Sequence, residues 1–189
     1  MGHPVLRQVA APVPAEVIRT RAFQQFCDDL LESMCEHDGT GLAAPQVHEQ
    51  VRVVVFVIED GEPMFLVNPV ITPLSDELRA GYEGCLSVPN LRGKVERYMH
   101  IRVDALGRDG KPIAFEAHGW PARVVQHECD HLDGVLYVDR ADPKSLAFLP
   151  EYRRFGPPVK LAKIPRSDAD PSAEEGENDE EEDGDEDDG

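Results

Sequence analysis

Two histidines and a glutamate in the segment Gln126–His131 (QHECDH) are the residues of this sequence best placed to do chemistry. On a helix, His127 and His131 lie one turn apart on the same face and can bind one metal ion together. Glu128 stands beside them, where it can take a proton from a water on that metal. Val124, one turn earlier, indicates that this face points inward, where unpaired imidazoles would be costly. The pattern predicts a catalytic metal site, with a chance match of five residues as the alternative.

A further protein ligand is needed, because catalytic zinc-type sites typically combine three protein ligands with one open position. No suitable motif follows the histidines, and none of the four cysteines forms a CxxC pair, which excludes a zinc ribbon. Upstream, the segment Glu83–Ser87 (EGCLS) places Cys85 directly after a glycine. A thiolate there would give a set of one sulfur and two nitrogens. Taken alone, Cys85 would be interpreted as an inert buried thiol, so the assignment depends on the other motifs.

The segment Gly39–Gln46 (GTGLAAPQ) combines small residues with one uncharged hydrogen-bond donor. Glycine and alanine keep side chains away, so that another backbone can come near. Gln46 supplies an uncharged amide donor. Seen alone, the segment is typical of a helix end followed by a packing loop of small residues.

The segments that must position these motifs show helix and strand patterns. Apolar residues step by three and one from Pro14 to about His37, which predicts a long amphipathic helix with Cys27 packed on its inward face. The β-branched run Val51–Ile58 predicts a buried strand. Asp60-Gly61 then predicts a hairpin turn into a strand at Met64–Val67.

A second strand pair is predicted from Lys94–Ala105 and Pro112–Ala117, joined across Asp109-Gly110. The pattern then becomes helical, with Pro121 in the first turn and Gly134 just past the end. Together these patterns predict an α+β fold of mostly antiparallel strands around a metal-binding helix, with a long N-terminal helix.

The net charge of −18 belongs mainly to the C-terminus. Residues 166–189 carry 14 acidic residues and one basic residue, whereas residues 1–165 have a mild net charge of −5. We therefore predict a folded catalytic domain over 1–165 and a disordered acidic tail over 166–189, because the tail has almost no apolar surface to bury. Neither part has the basic surface that nucleic-acid binding by charge requires.

Targeting signals and membrane spans are not predicted. Apolar runs fall short of the roughly 18 residues of a membrane span, and the N-terminus has neither a secretory nor an organelle-targeting pattern. A cytoplasmic location is expected, in which the cysteines would be free thiols or ligands rather than disulfides.

Taken together, GTGLAAPQ, EGCLS and HECDH, in this order, resemble the three signature motifs of the peptide deformylases. The similarity extends from about Val5 to Asp139 and includes the segments VPNLRGKVER and LYVDR. It implies a hydrolase that removes the formyl group from the N-terminal formyl-methionine of new polypeptides. It also implies one divalent metal ion, Fe²⁺ with Zn²⁺, Ni²⁺ or Co²⁺ as substitutes. Its partners would be N-formyl-methionyl nascent chains, with transient contact at the ribosome.

The resemblance implies a role for each residue of the metal motifs. Cys85, His127 and His131 would bind the metal, which lowers the pKa of its water. Glu128 would act as general base toward that water and then as general acid toward the leaving amine.

The resemblance also implies how the substrate would be held. Gln46 and the backbone N–H of Leu86 would donate to the formyl oxygen as it becomes negative. Gly41 would belong to the rim where the substrate backbone pairs like a strand. Val124 would help to line the apolar pocket for the methionine side chain. Donors close to the carbonyl would leave little room for a methyl group, so formyl should be favoured over acetyl.

Three features outside the metal and base residues also bear on the comparison with this family. Glu83 and Arg97 would pair to hold the cysteine loop. The segment Gly119–Arg123 (GWPAR) resembles organelle-type members and puts Trp120 and Arg123 near the expected substrate pocket. The acidic tail has the opposite sign to the basic C-terminal helix through which some bacterial members dock on the ribosome.

Two alternatives stay open. An HExxH metallopeptidase that cuts internal peptide bonds would leave EGCLS and GTGLAAPQ unexplained. A non-enzymatic binding protein, or an inactive homologue, could recruit a basic partner through the tail, although it would keep the whole set of metal and base residues.

Overall fold

The helix that carries HECDH is buried over nearly its whole length. In the computed structural model, which describes residues 1–58 and 61–156, this helix spans Trp120–Leu132, and its residues from Ala122 onward are all buried. In chain order, the helices and strands are α1 (Ala15–Ile18), α2 (Arg21–Glu36), β1 (Gly41–Ala43), β2 (Val53–Phe56), β3 (Met64–Pro73), β4 (Leu78–Cys85), β5 (Val88–Tyr98), β6 (His100–Leu106), β7 (Pro112–His118), α3 (Trp120–Leu132), α4 (Tyr137–Arg140), β8 (Ala147–Phe148) and α5 (Leu149–Phe155), with 3₁₀ turns at Pro4–Arg7, Ala44–Val47 and Pro143–Ser145.

The strands form two sheets whose pairings are all antiparallel. One has five strands in the order β1-β2-β3-β6-β7, and the other has three in the order β4-β5-β8. Val54 and Phe56 of β2 pack in the same core as α3, whereas Val53 and Val55 pack in the same core as α2. Because successive residues of a strand point to opposite faces, β2 is covered on both sides. This explains its unbroken apolar run.

The single strand predicted over Lys94–Ala105 is wrong. The chain leaves β5 at Tyr98 and enters β6 at His100, and the two strands belong to different sheets. The alternation of buried residues continues across the break, with Val95 and Arg97 before it and Ile101 after it. Since periodicity runs through without interruption, local sequence could not reveal the change of sheet. The predicted pairing with the next strand does occur, but only β6 takes part in it.

The helix predicted from Pro14 to about His37 is interrupted. α1 ends at Ile18 and α2 begins at Arg21, where the Thr20 hydroxyl accepts a hydrogen bond from the N–H of Phe23 at 3.2 Å. A threonine in this position caps a new helix start. Cys27 is fully buried on the inward face of α2, and burial raises the pKa of its thiol to about 11. Its role is therefore packing.

Other predicted boundaries shift or fall outside the described residues. The strand predicted over Val51–Ile58 is shorter, since β2 covers Val53–Phe56. Asp60 of the predicted turn lies outside the described residues, as do the predicted domain boundary at 165 and the acidic tail. No helix in the described ranges is both long and apolar enough to cross a bilayer.

Candidate metal centre

Three side chains from distant parts of the chain converge beside α3. Cys85 ends β4, while His127 and His131 lie one turn apart on α3. One ligand atom from each of the three lies within 4.8 Å of the others, and the Cys85 Sγ is 3.2 Å from the His131 Nε2. The structure thus brings together the three residues that the sequence predicts as metal ligands.

Local geometry fixes both halves of this cluster. Gly119 precedes α3 with a φ of +63°, which favours glycine, and Pro121 occupies the first turn. Cys85 follows a register shift in the β4–β5 pairing that begins after Glu83. A side chain at Gly84 would have to displace the guanidinium group of Arg92, which packs against this glycine.

Glu83 holds His127 from the side opposite the cluster. Its carboxylate accepts a hydrogen bond from the His127 Nδ1 at 2.9 Å and two more from Arg97 at 3.0 and 2.9 Å. Burial raises the pKa of Glu83, but hydrogen bonds from His127 and Arg97 outweigh it and bring the pKa down to about 2. Because an ionised carboxylate only accepts, Nδ1 carries the proton and Nε2 is left with its lone pair. The pairing of Glu83 with Arg97 is the one that the sequence predicts.

Arg123 also binds Glu83, a contact that sequence reasoning missed. Its guanidinium group donates to the Glu83 carboxylate and to the carbonyl of Val95, both at 2.8 Å, and to the carbonyl of Arg79 at 2.6 Å. Arg123 also lines a cavity beside the metal cluster, but its donors face Glu83 and the backbone of β4 and β5. Arg123 stands four residues before His127, so a helix places both side chains on one face. This spacing is the sequence signal that could have predicted a shared contact with Glu83.

A second buried ion pair continues the network. Arg97 donates to Asp130 of α3 at 2.6 Å, and Arg140 donates to the same carboxylate at 2.7 and 2.9 Å. Asp130 stands three residues after His127, which places the two side chains side by side on the helix, and Arg97 bridges Asp130 to the Glu83 carboxylate that contacts His127. The network ties α3 to β5 and α4, which makes the position of the histidines rigid.

Glu128 is buried against β1. Burial raises the pKa of its carboxyl to about 7, and its Oε2 has no hydrogen-bond partner within the described part of the chain. A Cβ atom at Gly41 would stand only 2.5 Å from the Glu128 Oε1, so this strand position accepts only glycine without displacing the carboxylate. A carboxyl with a pKa near neutrality suits a group that both takes and returns a proton.

The electrostatics of the two histidines differ. Burial lowers the pKa of His131 to about 3, which keeps its imidazole neutral as a metal ligand requires. Burial also lowers the pKa of His127, but its hydrogen bonds to Cys85 and Glu83 outweigh burial and raise the pKa well above the usual value. A cation in the cluster would oppose protonation of both rings.

Gln46 reaches the cluster from the turn that follows β1. Its Oε1 accepts from the N–H of Ala43 at 2.8 Å, which turns the amide nitrogen toward the Cys85 Sγ at 3.5 Å and the Ser87 Oγ at 3.2 Å. Leu86 follows Cys85 directly and its side chain is exposed. Both predicted oxyanion donors therefore belong to segments that meet at the cysteine.

A cavity of about 440 Å³ opens onto this cluster, a size suited to a small ligand or a peptide end. Its walls include all the residues that the sequence predicts for catalysis and substrate binding, namely Gly41, Gln46, Leu86, Val124 and Glu128, together with Cys85, His127 and Trp120. A larger cavity of about 1130 Å³ touches none of the three candidate ligands, and its lining mixes charged side chains with apolar ones such as Val70, Ile71 and Leu78. The smaller cavity is the one with the groups for chemistry.

Known proteins resemble the chain over most of its length. The profile of the family described as polypeptide deformylase matches residues 1–147. Peptide deformylase 2 of Pseudomonas syringae pv. tomato is 41% identical over 184 residues, covering 93% of this chain and 96% of that protein. Peptide deformylase 1 of Bordetella pertussis is 48% identical over 149 residues, covering 74% and 84%.

A solved structure agrees with the fold. The class I type b peptide deformylase of Acinetobacter baumannii, with Met-Ala-Ser bound, has a TM-score of 0.71 and 38% identity, covering 74% of this chain and 94% of that one. The matches favour the deformylase interpretation over a metallopeptidase that cuts internal bonds. The chain belongs to the polypeptide deformylase family, whose members are metal-dependent enzymes that remove the N-formyl group from newly synthesised polypeptides.

Proposed function

We propose that this chain deformylates nascent polypeptides with one divalent metal ion held by Cys85, His127 and His131. The donor set supports this assignment, because a sulfur and two imidazole nitrogens lie within 4.8 Å of one another, with both histidines buried and Cys85 half-buried. Soft thiolate and imidazole ligands together suit Fe²⁺, Zn²⁺, Ni²⁺ and Co²⁺ rather than Mg²⁺ or Ca²⁺. We propose Fe²⁺ as the native ion, in keeping with the family resemblance.

The ion would supply Lewis-acid chemistry, polarising the formyl carbonyl and lowering the pKa of a water. Glu128 would accept the proton of the attacking water and pass it to the leaving amine. Its raised pKa makes both steps accessible near neutral pH. Glu83 would keep His127 in one tautomer and orientation, and Arg97 and Arg123 would keep Glu83 ionised.

Gln46 and Leu86 would stabilise the developing negative charge. The Gln46 amide is already oriented by its bond to Ala43, so its N–H group needs no reorganisation to donate to an oxyanion. The backbone N–H of Leu86 would donate from the other side of the formyl oxygen. Donors on both sides of the carbonyl would leave room for a formyl hydrogen but little for an acetyl methyl group.

Gly41 and Val124 would position the peptide. β1 is short and ends one side of the five-stranded sheet, so its free edge can pair with an extended substrate. Val124, one turn before Glu128 on α3, lines the cavity and offers apolar surface for the methionine side chain. The Met-Ala-Ser peptide bound in the Acinetobacter relative supports a peptide with N-terminal methionine as product. We place the reaction in the cytoplasm, in transient contact with the ribosome, where such chains emerge.

The test replaces Glu128 and asks whether this residue acts as the general base or binds the metal. Glu128→Gln keeps the size but cannot take a proton, so kcat on formyl-Met-Ala-Ser should fall by about 10² to 10⁴. Metal content should stay near one equivalent. Glu96→Gln, the same change at an exposed position of β5, is the matched control and should keep full activity.

Two results would contradict the proposal. Loss of the metal from the Glu128→Gln protein would make this residue a ligand. Comparable wild-type rates on formyl-Met-Ala-Ser and acetyl-Met-Ala-Ser would contradict the narrow carbonyl site formed by Gln46 and Leu86.

A further inference from the structure

A second group of metal-binding side chains lies on the outer face of the five-stranded sheet. His100 of β6 and Glu116 and His118 of β7 each offer one ligand atom, and these atoms lie within 4.8 Å of one another. The His100 Nε2 is 2.8 Å from the Glu116 Oε2, and the His118 Nε2 is 4.0 Å from the same oxygen. We propose that His100, Glu116 and His118 form a second binding site for a divalent transition-metal ion.

The sheet holds the three side chains in place. His100 and His118 are directly opposite each other in the β6–β7 pairing, and their rings stack with centroids 3.8 Å apart. To share one ion the rings would turn out of this stack, because each nitrogen lone pair lies in the plane of its ring, and the strand pairing keeps both within reach. Glu116 precedes His118 by two residues, so both point to the same face. The alternate residues Ile101 and Ala117 are buried in the core with α3. A site built on paired strands needs no ordering of a loop before it binds.

The donor set selects the class of ion. Two imidazole nitrogens and one carboxylate oxygen suit Zn²⁺, Ni²⁺ or Cu²⁺, and they leave positions for water because the site is exposed. Mg²⁺ and Ca²⁺ prefer shells made of oxygen and would bind poorly. The site therefore differs from the predicted catalytic centre, which contains a thiolate and has both histidines buried.

Nearby charges also favour a cation. Arg102 lies on the same face, but its guanidinium group makes two hydrogen bonds of 2.8 Å to Asp104. Arg102 is directly opposite Glu116 in the β6–β7 pairing, but among the described residues its side-chain hydrogen bonds go to Asp104 and leave the Glu116 carboxylate to the histidines. In the absence of a metal, stacking and the His100–Glu116 contact would serve only to pair the strands.

The chain contains a matched comparison for the test. His3 and His48 also stack, with centroids 4.3 Å apart and an interplanar angle of 17°. Among the described residues, no histidine, cysteine or carboxylate offers this pair a third ligand atom within 4.8 Å. A site that needs three ligands should therefore bind at His100–His118 and not at His3–His48.

The experiment uses the full-length enzyme loaded with one equivalent of Zn²⁺ and dialysed against increasing free Zn²⁺. We expect the wild type to take up a second equivalent at concentrations where His118→Asn and His100→Asn do not. Glu116→Gln should need more Zn²⁺ for the same uptake, while His3→Asn should behave as wild type. Thermal unfolding of each variant checks its folding, and Zn²⁺-dependent shifts of the His100 and His118 imidazole NMR signals locate the ion.

The proposal fails if the wild type takes up no second equivalent, or if His118→Asn and His100→Asn retain it. It also fails if His3→Asn is the variant that loses the ion. Deformylation should be unchanged in the His118→Asn and Glu116→Gln proteins, so this result is independent of the assignment of the catalytic centre.

Discussion

Gly41→Ala tests whether the position of the Glu128 carboxylate governs turnover. The new Cβ would stand 2.5 Å from the Glu128 Oε1 and 2.8 Å from its Cδ, whereas ordinary contact begins at 3.4 Å. The carboxylate must therefore move by about 1 Å, and a misplacement of about 1 Å can cost about 100-fold in rate. We expect kcat on formyl-Met-Ala-Ser to fall about 100-fold, which corresponds to about 2.7 kcal/mol of transition-state stabilisation.

Other properties of this variant should change less. Crowding in a packed core costs about 1–3 kcal/mol of stability. The atoms that the new Cβ would crowd are at the end of the Glu128 side chain, which can rotate away, so we expect a loss of stability near the lower limit. Metal content should stay near one equivalent, because Glu128 is not among the proposed ligands. Gly107→Ala is the matched control, since its Cβ would stand 3.0 Å from the Ile113 Cδ1, away from the catalytic cavity.

The assay is steady-state kinetics combined with metal analysis and urea unfolding. A kcat within about threefold of wild type, with metal retained, would refute the link between Gly41 and the base. A rise in KM with unchanged kcat would instead mean that Gly41 acts only through the substrate backbone.

Three further predictions concern ligands, tail and network. Cys85→Ala should abolish metal binding and activity while Cys129→Ala keeps its metal, as measured by metal analysis; the reverse pattern would overturn the ligand assignment. Truncation after Pro165 should leave turnover of a formyl-Met peptide within about twofold, because surface changes seldom exceed about 0.5 kcal/mol; a tenfold loss would contradict this. Arg123→Leu should lower the free energy of unfolding in urea by about 1.5–3 kcal/mol, because it removes a charged hydrogen bond to Glu83, which keeps Arg97 and His127 as partners. Metal content should survive it, and a loss below about 1 kcal/mol would argue against the pairing.

The chemistry was accessible from the sequence because its key spacing is local. His127 and His131 stand four residues apart, and a helix alone places such residues on one face. The small residues at Gly39–Gln46 predicted the close approach of another backbone, whereas the atoms nearest to Gly41 belong to the Glu128 carboxylate. The order of three short motifs, rather than any one of them, indicated the family.

Element boundaries were less accessible. The chain passes from β5 to β6 without a break in the alternation of buried residues, so a change of sheet left no local trace. The restart of the helix at Arg21 depends on one capping hydroxyl at Thr20, within an apolar pattern that continues on both sides.

The helical spacing of the histidines and the membership of the family can be read from the sequence. The approach of Cys85 to His131, the contact of Arg123 with Glu83 and the stacking of His100 on His118 appear only in the folded chain. Periodicity depends on immediate neighbours along the chain, whereas contact partners depend on how distant strands and helices pair.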